Sequence, residues 1–305
     1  MSIMHRLFSY GTLQNPRVQT QLFGGDVPSS PARLPGFVVR DLEITDPAVV
    51  ELSGTDRHPS LVRRIEDSVE GVLLELDDEQ LAAADRYEVS DYVRREVLLA
   101  DGSPCWAYVP ATPLAAAQRV VVGGDSIAYG QHDPEGGWSG RFAREMHAYA
   151  DPDRRWFNLA IPGITLVEIA EQLPAELPWR RPDTVLLAAG VNDMARPLDG
   201  PQPNPDIESA LETIRRSCAA LGARLVVISP IWLDETRRTT VGGMQSTVKA
   251  VHSAVERQRA WCQERHIDFV DAWDAVRDRP DLLGDGLHPS AEGHRVLHDY
   301  LRDRL

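Results

Sequence analysis

The sequence predicts two domains of different class, a β-rich α+β module followed by an α/β domain on a parallel sheet of about five strands. Three observations carry this. The 305 residues are about twice a typical single domain. Up to Val109 the apolar segments are short and separated by turn residues, ending in the small-residue stretch Pro110–Ala117 with its two prolines. Beyond it, strands that are apolar throughout alternate with amphipathic helices, the pattern of a parallel sheet covered on both faces.

In the first module, Leu7–Tyr10 reads as a strand running into Gly11. Asn15 is placed as N-cap and Pro16 as first residue of a short helix through Leu22. Val69–Leu76 alternates as a strand, and Asp77 with Gln80 forms a capping box opening a helix over Asp78–Asp85. Tyr92–Leu99 and Cys105–Val109 complete a domain of residues 1–111, and residues 112–118 read as a linker.

Residues 119–305 form the second domain. Its strands are Val120–Val122, Phe157–Ala160, Val185–Ala189, Leu225–Ser229 and Phe269–Val270. Between and after them fall helices at Trp138–Tyr149, Leu166–Leu173, Ile207–Leu221, Ser246–His266 and Ala291–Leu301. In such sheets ligands bind beyond the carboxyl ends of the strands.

Composition narrows the function. A formal net charge of −14 argues against nucleic acid and anionic membranes as partners, since both select clustered Lys and Arg. Cys105, Cys218 and Cys262 are odd in number and far apart, so they read as reduced thiols. Met1–Leu13 lacks the apolar core of a secretory signal, and no run approaches the ~18 apolar residues of a membrane span. The expectation is a cytoplasmic protein acting on small molecules. No metal, nucleotide or organic cofactor is indicated, and the oligomeric state stays open.

Four short motifs of the second domain each follow a predicted strand. Gly124-Asp125-Ser126-Ile127 puts a hydroxyl at a strand end, and such a hydroxyl becomes a nucleophile when a base takes its proton. Asp285-Gly286-Leu287-His288 supplies that base, with three-residue spacing that lets one turn hold the carboxylate against the imidazole. Gly163 offers a backbone N–H and Asn192, in Gly190-Val-Asn192-Asp193, a side-chain amide, the donors an oxyanion hole requires. Taken singly, these serines, Asp–His pairs and Asn-Asp turns are caps and loops; their joint order points to a hydrolase. The G-x-S-x-G elbow of α/β-hydrolases is absent. His294 and His298, four apart on the last helix, read as a surface or packing stripe rather than as metal ligands with Asp285. The tryptophans read as core.

Ser126, Gly163, Asn192 and His288 match in order the four blocks that name the SGNH (GDSL-type) serine hydrolases, which residues 119–305 resemble. That resemblance implies an α/β/α three-layer flavodoxin-like sandwich and a metal-free acyl-enzyme mechanism. It implies esters, thioesters or acetylated sugars and lipids as substrates, and an oxyanion site of Gly163, Asn192 and the Ser126 backbone.

In the first domain Tyr10-Gly11-Thr12-Leu13 follows a strand and leaves backbone N–H groups free for a carboxylate or carbonyl. Glu88, after Asp85-Arg86-Tyr87, is a candidate general acid/base if buried; beside Arg86 it also reads as an exposed helix end. Leu7–Leu13, Val69–Gly71, Leu81–Glu88 and Tyr92-x-Arg94 together resemble the γ-glutamylcyclotransferase (AIG2-like) family over residues 5–110. This implies a small α+β barrel that releases 5-oxoproline from γ-glutamyl amides, with Glu88 as proton shuttle and Tyr10–Leu13 as binding loop. The leading expectation is a bifunctional enzyme. The alternatives are a non-catalytic docking role for the first domain, and acyl transfer rather than hydrolysis by the second.

Overall fold

The computed structural model describes the chain except residues 1–3, 44–56, 89–91, 112, 149–152, 198, 202 and 238–243; for 41–43, 57, 58, 65 and 244 it describes the backbone alone. The chain divides into two compact units, one dominated by Met1–Thr112 and the other made of Pro113–Cys218 and Ala223–Leu305.

The first unit carries a five-stranded mixed sheet of β1 (His5–Ser9), β2 (Ser29–Glu43), β3 (Arg57–Leu76), β4 (Tyr92–Leu98) and β5 (Pro104–Pro110). Its order is β2-β3-β1-β5-β4, with β1 antiparallel to β3 and parallel to β5. The Ala100 N–H donates to the Arg33 carbonyl at 2.9 Å, bringing the strand beyond β4 back to β2. The sheet thereby curls around Phe8, Leu34, Leu61, Leu73, Val97 and Ala107. Leu81 and Ala84 of the helix Asp78–Tyr87 pack on Leu7, Leu74 and Leu76, with Leu22 of the helix Pro16–Phe23 beside them. Both halves of the Asp77–Gln80 capping box form, at 2.9 and 3.0 Å.

Strand β3 begins twelve residues before the expected Val69, and β2 has no counterpart in the expected strands. Pro31, Pro35 and Gly36 mask the alternation of β2. The ladder accommodates them with a register shift between Pro35 and Phe37, where Gly36 takes φ +83°.

The second unit is an α/β/α sandwich on β6 (Arg119–Gly124), β7 (Arg155–Asn158), β8 (Thr184–Ala188), β10 (Arg224–Ile228) and β12 (Asp268–Val270). These strands are all parallel in the order β12-β10-β8-β6-β7. Numbered by their own sequence this is 2-1-3-4-5, the flavodoxin-like winding, whose switch point lies between β6 and β8. A small antiparallel pair, β9 (Arg196–Pro197) with β11 (Met244–Gln245), stands apart from it. Val120, Val121, Val122, Val185 and Leu186 are fully buried, which explains their unbroken apolar runs.

Residues 113–118, expected as linker, belong to this unit: Leu114 and Ala117 are buried and Leu114–Ala116 form a 3-10 turn. The helix expected over Trp138–Tyr149 spans Gly137–Ala148, and Tyr149 lies outside the described residues. The helix expected to stop at Leu173 runs from Leu166 to Arg180 through Pro174 and Pro178. Thr165 and Glu168 cap its start, and Leu166, Ile169, Leu173 and Leu177 bury one seam along its full length. That seam outweighs the hydrogen bonds the prolines remove. Trp138, Trp261 and Trp273 are core, whereas Trp179 is 84% exposed. All three cysteines are buried and free, and burial pushes their thiols up to about 12, which leaves them unreactive at neutral pH. Among the described residues, no helix is long and apolar enough to cross a membrane.

One contact ties this packing to the segment that carries Ser126. A Cβ at Gly124 would stand 2.5 Å from the Ala128 Cβ and 2.6 Å from the Ala188 carbonyl oxygen. Gly124→Ala is therefore expected to destabilise the unit by about 1–3 kcal/mol. Thermal unfolding checks this, and an unchanged melting temperature would refute the close approach.

Candidate active sites

Ser126 is the first residue of the short helix Ser126–Tyr129, directly beyond β6. Asp125 caps that helix, its Oδ1 accepting from the Ile127 N–H at 2.9 Å. Burial, opposed by the Ile127 and Ala128 N–H groups and reinforced by Asp193, pushes the Asp125 carboxyl up to about 7. Asn158, at the end of β7, donates from Nδ2 to the Ala128 carbonyl at 2.9 Å and so anchors the Ser126–Tyr129 helix to the neighbouring strand.

The structure brings the three residues of the first and last motifs together. Ser126 Oγ lies 2.8 Å from His288 Nε2, and His288 Nδ1 lies 2.7 Å from Asp285 Oδ2. The other oxygen, Asp285 Oδ1, accepts from the Leu287 and His288 N–H groups at 2.9 and 2.8 Å. Burial works against the Asp285 charge, but the His288 backbone, the His288 ring and the Leu287 backbone outweigh it and hold the carboxyl far below its ordinary range. A carboxylate that stays ionised fixes the Nδ1 proton and leaves Nε2 as acceptor for the serine proton.

The turn carrying Asp285 and His288 is braced from outside. Arg237 donates to the carbonyls of Pro280, Leu283 and Gly284. The Asp234 N–H donates to the Gly286 carbonyl at 2.7 Å, where Gly286 sits at φ +90°. Residues 238–243, which follow Arg237, lie outside the described residues. Asp133, beyond the Ser126 helix, is ion-paired with Arg141.

Asn192, in the 3-10 turn after β8, donates from Nδ2 to the Ile164 carbonyl at 2.9 Å. One amide N–H is thus committed to the loop that carries Gly163. Gly163 adopts φ +85°, a conformation that favours glycine. The Ile161 N–H donates to the Gly124 carbonyl at 2.9 Å, which ties this loop to the end of β6.

Sequence reasoning missed two residues here. Asp193 Oδ2 accepts from the Leu166 N–H at 2.8 Å and locks the Asn192 turn to the helix behind Gly163. His132 Nε2 stands 3.2 Å from Asp285 Oδ2, and its ring meets His288 edge-on with centroids 5.4 Å apart. Neither position has a local signal, because both contacts are made across the fold. His294 and His298 do not join Asp285. His294 Nε2 lies 3.0 Å from the Gln131 carbonyl, and His298 stands between Glu145 and Asp299.

The first unit holds a narrow cavity of about 40 Å³ lined by Tyr10–Leu13, Glu88, Tyr92 and Tyr108 among others. Burial pushes the Glu88 carboxyl up to about 7. The loop is fixed from Tyr10, whose hydroxyl donates to the Tyr108 carbonyl at 2.9 Å. Burial, then Tyr92 and Glu88, raise the Tyr10 phenol, so it stays protonated. Asp85, another residue without a sequence signal, collects the Tyr108 hydroxyl at 2.8 Å and the Arg94 guanidinium at 3.0 Å.

Residues 122–296, more than half of the chain, match the family model described as GDSL-like Lipase/Acylhydrolase. The chain belongs to the GDSL-like lipase/acylhydrolase family. Residues 7–133 match a second model, gamma-glutamyl cyclotransferase, AIG2-like. The GDSL-like unit is similar in fold to a catalytic mutant of Axe2, an acetylxylan esterase from Geobacillus stearothermophilus. That chain is 18% identical, with 61% of this chain and 93% of that one covered and a TM-score of 0.51. A lipase/acylhydrolase from Enterococcus faecalis is 22% identical over 61% of this chain and 94% of its own, at a TM-score of 0.49. LAE5, an alpha/beta hydrolase enzyme from the metagenome of Lake Arreo, Spain, is 18% identical over 61% and 94%, at 0.48. Comparison with curated proteins gives no match.

Proposed function

We propose that the chain is a bifunctional cytoplasmic enzyme whose GDSL-like unit cleaves a small-molecule ester or thioester through an acyl-enzyme on Ser126. The observation that carries this is the unbroken hydrogen-bonded path Ser126–His288–Asp285. His288 takes the hydroxyl proton as Ser126 attacks the carbonyl carbon, and returns it to the leaving group. Asp285 stabilises the imidazolium between these steps. Gly163, Asn192 and the Ser126 backbone N–H receive the developing oxyanion. Water then repeats the sequence on the acyl-enzyme.

A fluorophosphonate probe tests this reading. Intact mass should show a single adduct on the wild type and none on Ser126→Ala. An absent adduct on folded wild type, or one that persists in the variant, sinks the proposal.

In the first unit, Glu88 serves as proton shuttle for a γ-glutamyl amide held by Tyr10, Gly11, Thr12 and Leu13. The substrate α-amine attacks its own γ-carbonyl, Glu88 takes the amine proton and delivers it to the leaving amine, and 5-oxoproline departs. The raised carboxyl of Glu88 inside a lined cavity supports this over a helix-end role. A γ-glutamyl amide that binds and is recovered unchanged would favour the docking alternative. A rise in ester turnover with added alcohol or amine, and a new acylated product, would favour acyl transfer in the second unit.

A further inference from the structure

Beside the Ser126–His288–Asp285 path, His132 is a side chain to which the hydrolytic mechanism gives no task. It lies six residues after the nucleophile at φ +69°, with its side chain 44% exposed. Its Nε2 points at the same carboxylate oxygen that holds His288, so Asp285 Oδ2 faces two imidazole nitrogens at 3.2 and 2.7 Å. Among the described residues, His132, Asp285 and His288 form a group whose ligand atoms all lie within 4.8 Å of one another.

Two imidazoles and a carboxylate are the donors zinc selects, and metal–ligand bonds of about 2.0–2.2 Å place tetrahedral donors about 3.3–3.5 Å apart. The separations here approach that spacing with small side-chain movements. The exposed edge of His132 gives an ion a way in from solvent, and solvent supplies the fourth ligand. Hard ions such as magnesium prefer all-oxygen sets and are excluded by the same donors.

We propose that His132, Asp285 and His288 form a binding site for a zinc-class divalent ion, and that the bound ion switches the hydrolase off. The second half of this inference rests on the hydrolytic reading of Ser126. Binding puts the metal on Nδ1 of His288, and the one proton of the neutral ring passes by way of solvent from Nδ1 to Nε2. The imidazole stays neutral and now carries that proton on Nε2. That nitrogen donates to Ser126 Oγ where it previously accepted, and the serine proton has no destination. The ion's charge also opposes formation of an imidazolium. The site is inhibitory, distinct from a cofactor site, because the hydrolytic path is complete without it.

Zinc binding to the Ser126→Ala protein, followed by calorimetry, tests the site without reference to activity. His132→Asn, which suits the left-handed backbone, is the variant, with His132→Gln as a second. Loss of a direct ligand should weaken one zinc site at least as much as the ~10–100-fold typical of losing a supporting group. In the otherwise native enzyme, zinc should slow ester turnover, a chelator should restore it, and magnesium should do neither. His132→Asn should need at least about tenfold more zinc for half-inhibition, measured against its own uninhibited rate. Equal zinc affinity with and without His132, or equal inhibition of both proteins, overturns the proposal. An enzyme without any esterase activity would instead remove the hydrolytic reading, and the calorimetry would still decide the site.

Discussion

Ser126→Ala protein is expected to lose ester hydrolysis by a factor on the order of 10⁶ in kcat. The size follows from the coupling of the three residues. Without the hydroxyl there is no covalent intermediate, and the 2.8 Å contact with His288 Nε2 has nothing to deprotonate. Residual turnover should come from the oxyanion donors and binding alone. For the same reason His288→Ala placed on top of Ser126→Ala should cost almost nothing more, since groups that act as a unit are not additive. Steady-state rates on p-nitrophenyl esters measure both. A single variant within tenfold of wild type would place the nucleophile elsewhere.

Glu88→Gln should lower γ-glutamyl amide turnover by about 10²–10⁴, because an amide cannot relay the proton. In the wild type the same reaction should rise with pH through about 7, where the buried carboxyl ionises. The substitution should have the opposite effect on stability. The folded carboxyl is raised above its ordinary 4.5, so the contribution of its burial is fully present below about 4.5 and is lost as pH rises through about 7. At pH 8 the wild type therefore holds an unfavourable buried charge that the neutral amide of the variant lacks. The variant should gain about 2 kcal/mol there, after allowance for partial exposure, and nothing at pH 4. Thermal unfolding at the two pH values decides this. A variant that keeps its turnover, or shows no pH-dependent gain, would return Glu88 to an ordinary helix-end role.

What could be read ahead of the structure depended on whether a feature is local. Val120–Val122 and Val185–Ala189 announce buried parallel strands because both of their faces are apolar. Asp285 and His288 announce themselves because three residues of spacing are enough to join them. The helix through Pro174 and Pro178 was illegible past Leu173, since its continuation depends on tertiary burial of Leu177. Strand β2 was hidden for the converse reason: its prolines are tolerated by long-range pairing with β3, which no short window reports. At the sites, His132, Asp193 and Asp85 act on partners brought near by the fold alone. His132 meets Asp285 across 153 positions of sequence and Tyr108 meets Asp85 across 23.

The proposed base and its carboxylate share one tight turn, whereas the serine they would serve is 162 positions away. Closing so long a loop is slow and entropically unfavourable, while a four-residue turn forms almost at once. Half of the proposed hydrolytic site is thus set by local structure, and the other half depends on β6 taking its place between β8 and β7. Under the proposed mechanism an activated serine is accordingly a property of the folded chain, since the Asp285–His288 pair alone would have no hydroxyl to deprotonate.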